Sequence, residues 1–156
     1  MLLSNIRNFN LIPGTRLIGL DVGSKSIGLA ISDKNLSIAT PISLINRKNI
    51  KTDICNIKTA IENRNVGGIV IGFPLNMDGS EGPMCQSIKQ FAKNIDSSFN
   101  LPTLFWDERM STLAVEKELI ELDTSRAKRK KIIDKEAAAL ILQGLLDYLK
   151  NQSKLV

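Results

Sequence analysis

The stretch Leu17-Ile-Gly-Leu-Asp21-Val-Gly-Ser-Lys-Ser-Ile27-Gly-Leu-Ala-Ile-Ser-Asp33 sets one carboxylate, Asp21, inside an apolar run. Arg16 to Val22 reads as a buried strand and Ile27 to Ser32 as a second. The Gly-Ser-Lys-Ser turn between them makes this a β-hairpin pattern. Gly23 and Gly28 let the backbone turn tightly and let a bulky group approach without meeting a Cβ. An ionised Asp in a strand is costly unless it is paired, hydrogen-bonded or bound to a cation. Taken by itself, Asp21 serves equally well as a turn former opening Asp-Val-Gly.

Outward from the hairpin, Leu36 to Ile45 reads as a third extended segment, which Pro41 confines to a sheet edge because it cannot donate to a ladder. Ile50, Ile54, Ile57 and Ile61 then fall at helical spacing, and Val66 to Phe73 suits a buried parallel strand. Pro83 suits a helix first turn, Ile88, Phe91, Ala92, Ile95 and Phe99 share a helical face, and Pro102 precedes a strand from Thr103 to Glu108. A further helix is expected from Ser111 or Thr112 to Leu122, then a polar and basic connector from Asp123 to Lys131. A last helix is expected from about Lys135 to Leu149, its core face being Ala138, Ile141, Leu142, Leu145 and Leu149. The order βββαβαβαα predicts an α/β fold, a mixed sheet with helices on both faces, whose sites gather at the carboxyl ends of the parallel strands.

With 156 residues, 43% of them hydrophobic, the chain has the size and core of one domain, and residues 1–13 are expected as a flexible N-terminal extension. No apolar run approaches a bilayer span and the first ten residues lack a signal-peptide core, so a soluble cytoplasmic protein with no membrane partner is expected. Cys55 and Cys85 lie far apart without a CxxC spacing, which argues against a disulfide framework or a zinc cluster. The formal charge of +5 favours a polyanionic partner only weakly. The absence of histidine says more. It removes the usual general base and the commonest transition-metal ligand, leaving carboxylates, lysines, hydroxyls or a hard cation to carry chemistry.

Two further acidic points stand out. Asp107-Glu108-Arg109 closes the last predicted strand, at the same edge as Asp21 if the strands run parallel; alone, it also suits a solvated strand end paired internally. Asp134 stands just before the last predicted helix, where it could simply cap it. Acids from two strand ends and a helix start nevertheless form the cluster a sheet edge would gather, and such a cluster binds hard cations or suffers raised pKa values. Mg²⁺ or Mn²⁺ with a phosphodiester suits it, because metal-held water and a stabilised leaving oxygen need no histidine. Arg126, Lys128, Arg129, Lys130 and Lys131 precede Asp134; such a run is often only a solvated face, but here it could bring a phosphate backbone to the acids. Lys25 and Arg109 could add phosphate contacts. The loop Asn76 to Pro83 is polar and glycine-rich, and leads into a helix N-terminus able to receive an anion.

Four ordered segments together resemble the YqgF (RuvX) family of the RNase H-like superfamily: Leu20-Asp-Val-Gly-Ser-Lys-Ser-Ile-Gly28, Gly72-Phe-Pro-Leu-Asn-Met-Asp-Gly-Ser-Glu-Gly-Pro83, Asp107-Glu-Arg-Met-Ser-Thr112, and Arg126 through Asp134-Lys135 to Ala138. The resemblance implies an RNase H-like fold with a five-stranded sheet in the order 3-2-1-4-5 and a catalytic, metal-holding site at Asp21, Glu108 and Asp134. Family members commonly carry Arg at 26, Leu at 73 and Leu at 110, where this chain has Ser26, Phe73 and Met110. Along a strand Asp107 and Glu108 point to opposite faces, so one of them joins the cluster, with Glu108 favoured and Asp107 the alternative.

The resemblance implies a nuclease acting on precursor 16S rRNA, or a resolvase of branched DNA junctions, which a homodimer would suit. Partners are then structured RNA or branched DNA, with pre-ribosomal particles in the first case, and the chain acts as a monomer or a homodimer. An ATP-using sugar kinase or actin-like ATPase begins with a similar hairpin but needs two lobes, which 156 residues do not supply. A binding module that keeps the fold without cutting is the third reading.

Overall fold

The computed structural model describes residues 2–3, 9, 11–108 and 126–154; along the final helix, side chains are described for 136–152. The strands are β1 (Leu2–Leu3), β2 (Arg16–Val22), β3 (Ser26–Ser32), β4 (Ala39–Asn46), β5 (Val66–Phe73) and β6 (Thr103–Asp107). The helices are α1 (Ile50–Ile61), α2 (Cys85–Phe99) and α3 (Arg126–Lys154). The sheet runs β1-β6-β5-β2-β3-β4. The five strands read from sequence keep the order 3-2-1-4-5, with β2, β5 and β6 parallel and β3 antiparallel to both its neighbours. A sixth strand lies at the other edge: Leu2 and Leu3 pair with Thr103 and Leu104, and Phe9 is buried.

Alternation along each strand divides the core in two. Ile18, Leu20, Val22, Ile69 and Ile71 pack against Ile57 of α1 and Ile88, Phe91, Ala92 and Ile95 of α2. On the other face Leu17, Val70 and Leu104 pack against Ala138, Ile141, Leu142, Leu145 and Leu146 of α3. Pro41 lies on the edge strand β4 opposite Ala30, where the register shifts and Ile42 is left over as a bulge. α1 begins with Asn49, whose side chain accepts from the Thr52 amide.

The start of the last helix departs from the expectation. α3 begins at Arg126, so the expected connector Asp123 to Lys131 is helical from 126 on. Ala, Lys and Arg are strong helix formers, and a run of them shows no apolar period by which to recognise a helix. Asp134 therefore lies eight positions into the helix (134 − 126) rather than at its N-cap. The helix expected from Ser111 or Thr112 to Leu122 lies outside the described residues. No described helix is long and apolar enough to cross a membrane.

α3 presses on the sheet at Gly19, where a Cβ would stand 2.8 Å from Leu142 Cβ and 2.9 Å from the Ala138 carbonyl oxygen. Neither atom can move without shifting the helix. Gly19→Ala is therefore expected to cost about 1–3 kcal/mol, read as a lowered urea midpoint. An unchanged midpoint would mean that α3 rides higher on the sheet than these distances imply.

Candidate active site

β2, β5 and β6 run parallel, so their carboxyl ends share one edge of the sheet. Asp21 stands near the end of β2, and Glu108 directly follows β6, its amide donating to the Phe73 carbonyl at 3.2 Å. Alternation decides which acids meet. Phe105 packs with the α1/α2 core and Trp106 with the α3 core, so Asp107 falls on the former side and Glu108 on the latter. Asp21 shares the α3 side with Leu17 and Gly19. The Glu108 carboxyl hydrogen-bonds to the Asp21 carboxylate, while Asp107 acts on it through its charge alone.

Burial, then the Asp21 charge, the shared hydrogen bond and the Asp107 charge push the Glu108 pKa up from 4.5 to about 8. Glu108 is thus held in its protonated form beside Asp21. Two carboxyl groups this close can both ionise only if a cation comes between them. Their all-oxygen donor set, with no histidine or thiolate, fits a hard divalent cation. Space for the Glu108 carboxyl comes from Gly72, where a Cβ would overlap Glu108 Oε1 and meet Ile141 Cδ1 at 2.5 Å.

Of the other residues read from sequence, Lys25 is exposed in the hairpin turn at this edge. Arg126, Lys128, Arg129, Lys130 and Lys131 lie on the opening turns of α3. Asp134 is one helical turn ahead of Ala138, the residue whose carbonyl approaches Gly19. Arg109 lies outside the described residues. Among the described residues, no group of three metal-ligating side chains is found.

Sequence reasoning missed two contributors. Gly72 appeared only as a motif letter, and its use is visible once β5 and β6 are paired. Arg47 was not singled out: its Nη1 donates to the Gly23 carbonyl at 2.9 Å and its amide to the Lys25 carbonyl at 2.9 Å. Its Nε lies 3.6 Å from Asp53, which is buried, and its guanidinium stands 5.4 Å from the Phe91 ring centroid. The available signal was Asp53, an acid on the apolar face of Ile50, Ile57 and Ile61 that needed a cation.

Glu108 also ties stability to pH. A carboxyl whose folded pKa lies above its ordinary value contributes stability that is present below pH 4.5 and lost as pH rises toward 8. In chelator, Glu108→Gln is expected to match wild type near pH 4.5 and to exceed it by a few kcal/mol near pH 8, because each tenfold gain in proton affinity on folding is worth about 1.4 kcal/mol. Urea titrations at the two pH values measure this; parallel behaviour of both proteins would show that Glu108 is not held against Asp21.

A family model described as "RuvX: Holliday junction resolvase" matches residues 15–148. The chain is 47% identical over 154 residues to a Roseobacter denitrificans protein named "Putative pre-16S rRNA nuclease", spanning 96% of this chain and 94% of that one. A Ruegeria pomeroyi protein of the same name is 50% identical over 141 residues, covering 90% and 92% of the two chains. Among solved structures, Thermus thermophilus RuvC in complex with a Holliday junction substrate superposes with a TM-score of 0.54 at 11% identity, covering 85% of this chain and 94% of that one. At that identity the likeness is one of fold, the RNase H-like architecture.

Proposed function

This chain belongs to the RuvX family, and on that premise we propose that it is a nuclease that hydrolyses phosphodiester bonds at the 5′ end of precursor 16S rRNA, in the cytoplasm and on pre-ribosomal particles. The observation that carries this reading is the Asp21–Glu108 pair at the carboxyl edge of the sheet. Asp134, one turn ahead of Ala138 on α3, completes the set. Asp21, Glu108 and Asp134 would hold Mg²⁺ or Mn²⁺, which when bound would supply activation of water and neutralisation of charge on the phosphate. Asp21 and Glu108 would orient it, and Ile141, which crowds the same Gly72 Cβ position as the Glu108 carboxyl, sets an apolar side chain beside that carboxyl.

Arg126, Lys128, Arg129, Lys130 and Lys131 hold the nucleic acid. Cations at a helix N-terminus oppose its dipole, each at about 0.3–1 kcal/mol, an arrangement that a polyanion reverses. Lys25 and Arg109 bind the backbone near the scissile bond. The names of the relatives favour RNA over a DNA junction.

The test compares labelled precursor 16S rRNA with a four-way DNA junction, each with Mg²⁺, Mn²⁺ or chelator, for wild type and Asp21→Asn. Metal-dependent cleavage of the RNA by wild type alone is expected. Junction cleavage by a dimer without RNA cleavage would make the chain a resolvase, and binding of either substrate with no cleavage would make it a binding module.

A further inference from the structure

On the sheet face opposite Asp21 and Glu108, a groove of about 550 Å³ runs between the start of α1 and the first half of α2. Arg47 and Ile50 form one wall, Gln86, Gln90 and Asn94 the other, and Phe91 the floor. We infer that this groove binds a single-stranded segment of the nucleic-acid substrate flanking the bond to be cut, an inference that rests on the function proposed above.

Three features carry it. Gln86, Gln90 and Asn94 recur at every fourth position, which sets three carboxamides in a row along one face of α2. Each carboxamide both donates and accepts, which suits the edges of bases rather than phosphates. Gln86 and Gln90 are exposed, and Asn94 spends one donor on the Gln90 carbonyl. Second, the Arg47 guanidinium is held by Gly23, Asp53 and Phe91 and lines the groove, which places a preset planar cation where a base could stack. Third, the rim is positive. Lys48, Lys51 and Lys93 are exposed beside the lining residues, whereas the nearby acids are spent, Asp53 on Arg47 and Glu81 on Lys89.

Size selects the occupant. The groove has the volume of a small-molecule pocket, roughly 300–1,000 Å³, which admits one or two nucleotides and excludes a duplex. Continuity with the acids comes through the hairpin, because Arg47 bonds to the carbonyls of Gly23 and Lys25, just beyond Asp21. A strand seated in the groove therefore passes over this turn to reach Glu108 and Asp21 on the other face.

The test uses the full chain carrying Asp21→Asn, so that binding is read without cleavage, and measures fluorescence anisotropy of a labelled RNA hexamer and of a blunt RNA duplex. Gln90→Glu and the double change Gln86→Ala/Asn94→Ala alter exposed or half-exposed side chains, and unfolding curves that overlay the parent establish that both fold. Each is expected to weaken hexamer binding by roughly fivefold or more, as loss of one or two hydrogen bonds predicts, and to leave duplex binding within about twofold. The inference is overturned if the hexamer does not bind, if hexamer and duplex weaken together, or if only the charged variant has an effect. A wild-type chain that cuts no substrate, together with the hexamer-specific loss in the Asp21→Asn background, would sink the nuclease reading and keep the groove. Cleavage by wild type with unchanged hexamer binding in the groove variants would do the reverse.

Discussion

Asp21→Asn is expected to lower phosphodiester cleavage by a factor on the order of 10³ or more, a loss of about 4 kcal/mol or more of transition-state stabilisation, while nucleic-acid affinity stays within about threefold. The asymmetry follows from the division of labour proposed for the site. In that proposal the carboxylates hold the cation, whereas Lys25 and the cations on α3 hold the backbone. Asn has the shape of Asp without its charge, so the strand pairing of Asp21 with Gly28 survives. Removing the Asp21 charge also removes the second-largest cause of the raised Glu108 pKa, so Glu108 titrates nearer its ordinary value. The variant is therefore expected to be at least as stable as wild type in chelator at pH 8, and to gain less thermal stability from Mg²⁺ or Mn²⁺. Rates measured in metal excess, alongside filter binding in chelator, separate the two effects. A variant retaining a tenth of wild-type cleavage would remove Asp21 from the metal-holding set.

The sheet was legible because its signals are local. Val66–Phe73 is an unbroken β-rich run, the hairpin announces itself by its turn, and Pro41 marks an edge. The strand Leu2–Leu3 was not legible, since two leucines show no period and pair only because β6 offers an open edge. The opening of α3 was hidden for the opposite reason: residues 126–131 are Ala, Lys and Arg, helix formers that carry no apolar stripe. Part of the candidate site could be read, because strand alternation alone put Glu108 and Asp107 on different faces. Which face holds Asp21 depends on pairing between strands distant in sequence. Arg47 and Gly72 matter through contacts that span 24 and 36 positions (47 − 23 and 108 − 72), and no spacing rule reaches that far.

Gly72→Ala is expected to cut cleavage by about 10²-fold with little loss of stability. The added methyl would overlap Glu108 Oε1, approach Glu108 Cδ at 3.0 Å and meet Ile141 Cδ1 at 2.5 Å. The Glu108 carboxyl is the far end of a flexible side chain, so it can swing away, which relieves the clash but breaks its hydrogen bond to Asp21. Misplacement by about 1 Å is enough for a loss of that size. Stability changes less, because the strain at Ile141, about 1–3 kcal/mol, is partly offset by the 0.5–1 kcal/mol gained on replacing a strand glycine. Two readouts identify the cause. With Glu108 displaced, the fall in stability between pH 4.5 and 8 flattens, as it does for Glu108→Gln. Adding Ile141→Val relieves the apolar clash while leaving the methyl on Glu108, so the double variant should remain inactive. If Ile141→Val restored cleavage, the glycine would be serving the packing of α3 on the sheet, and Glu108 would lose its claim to the space.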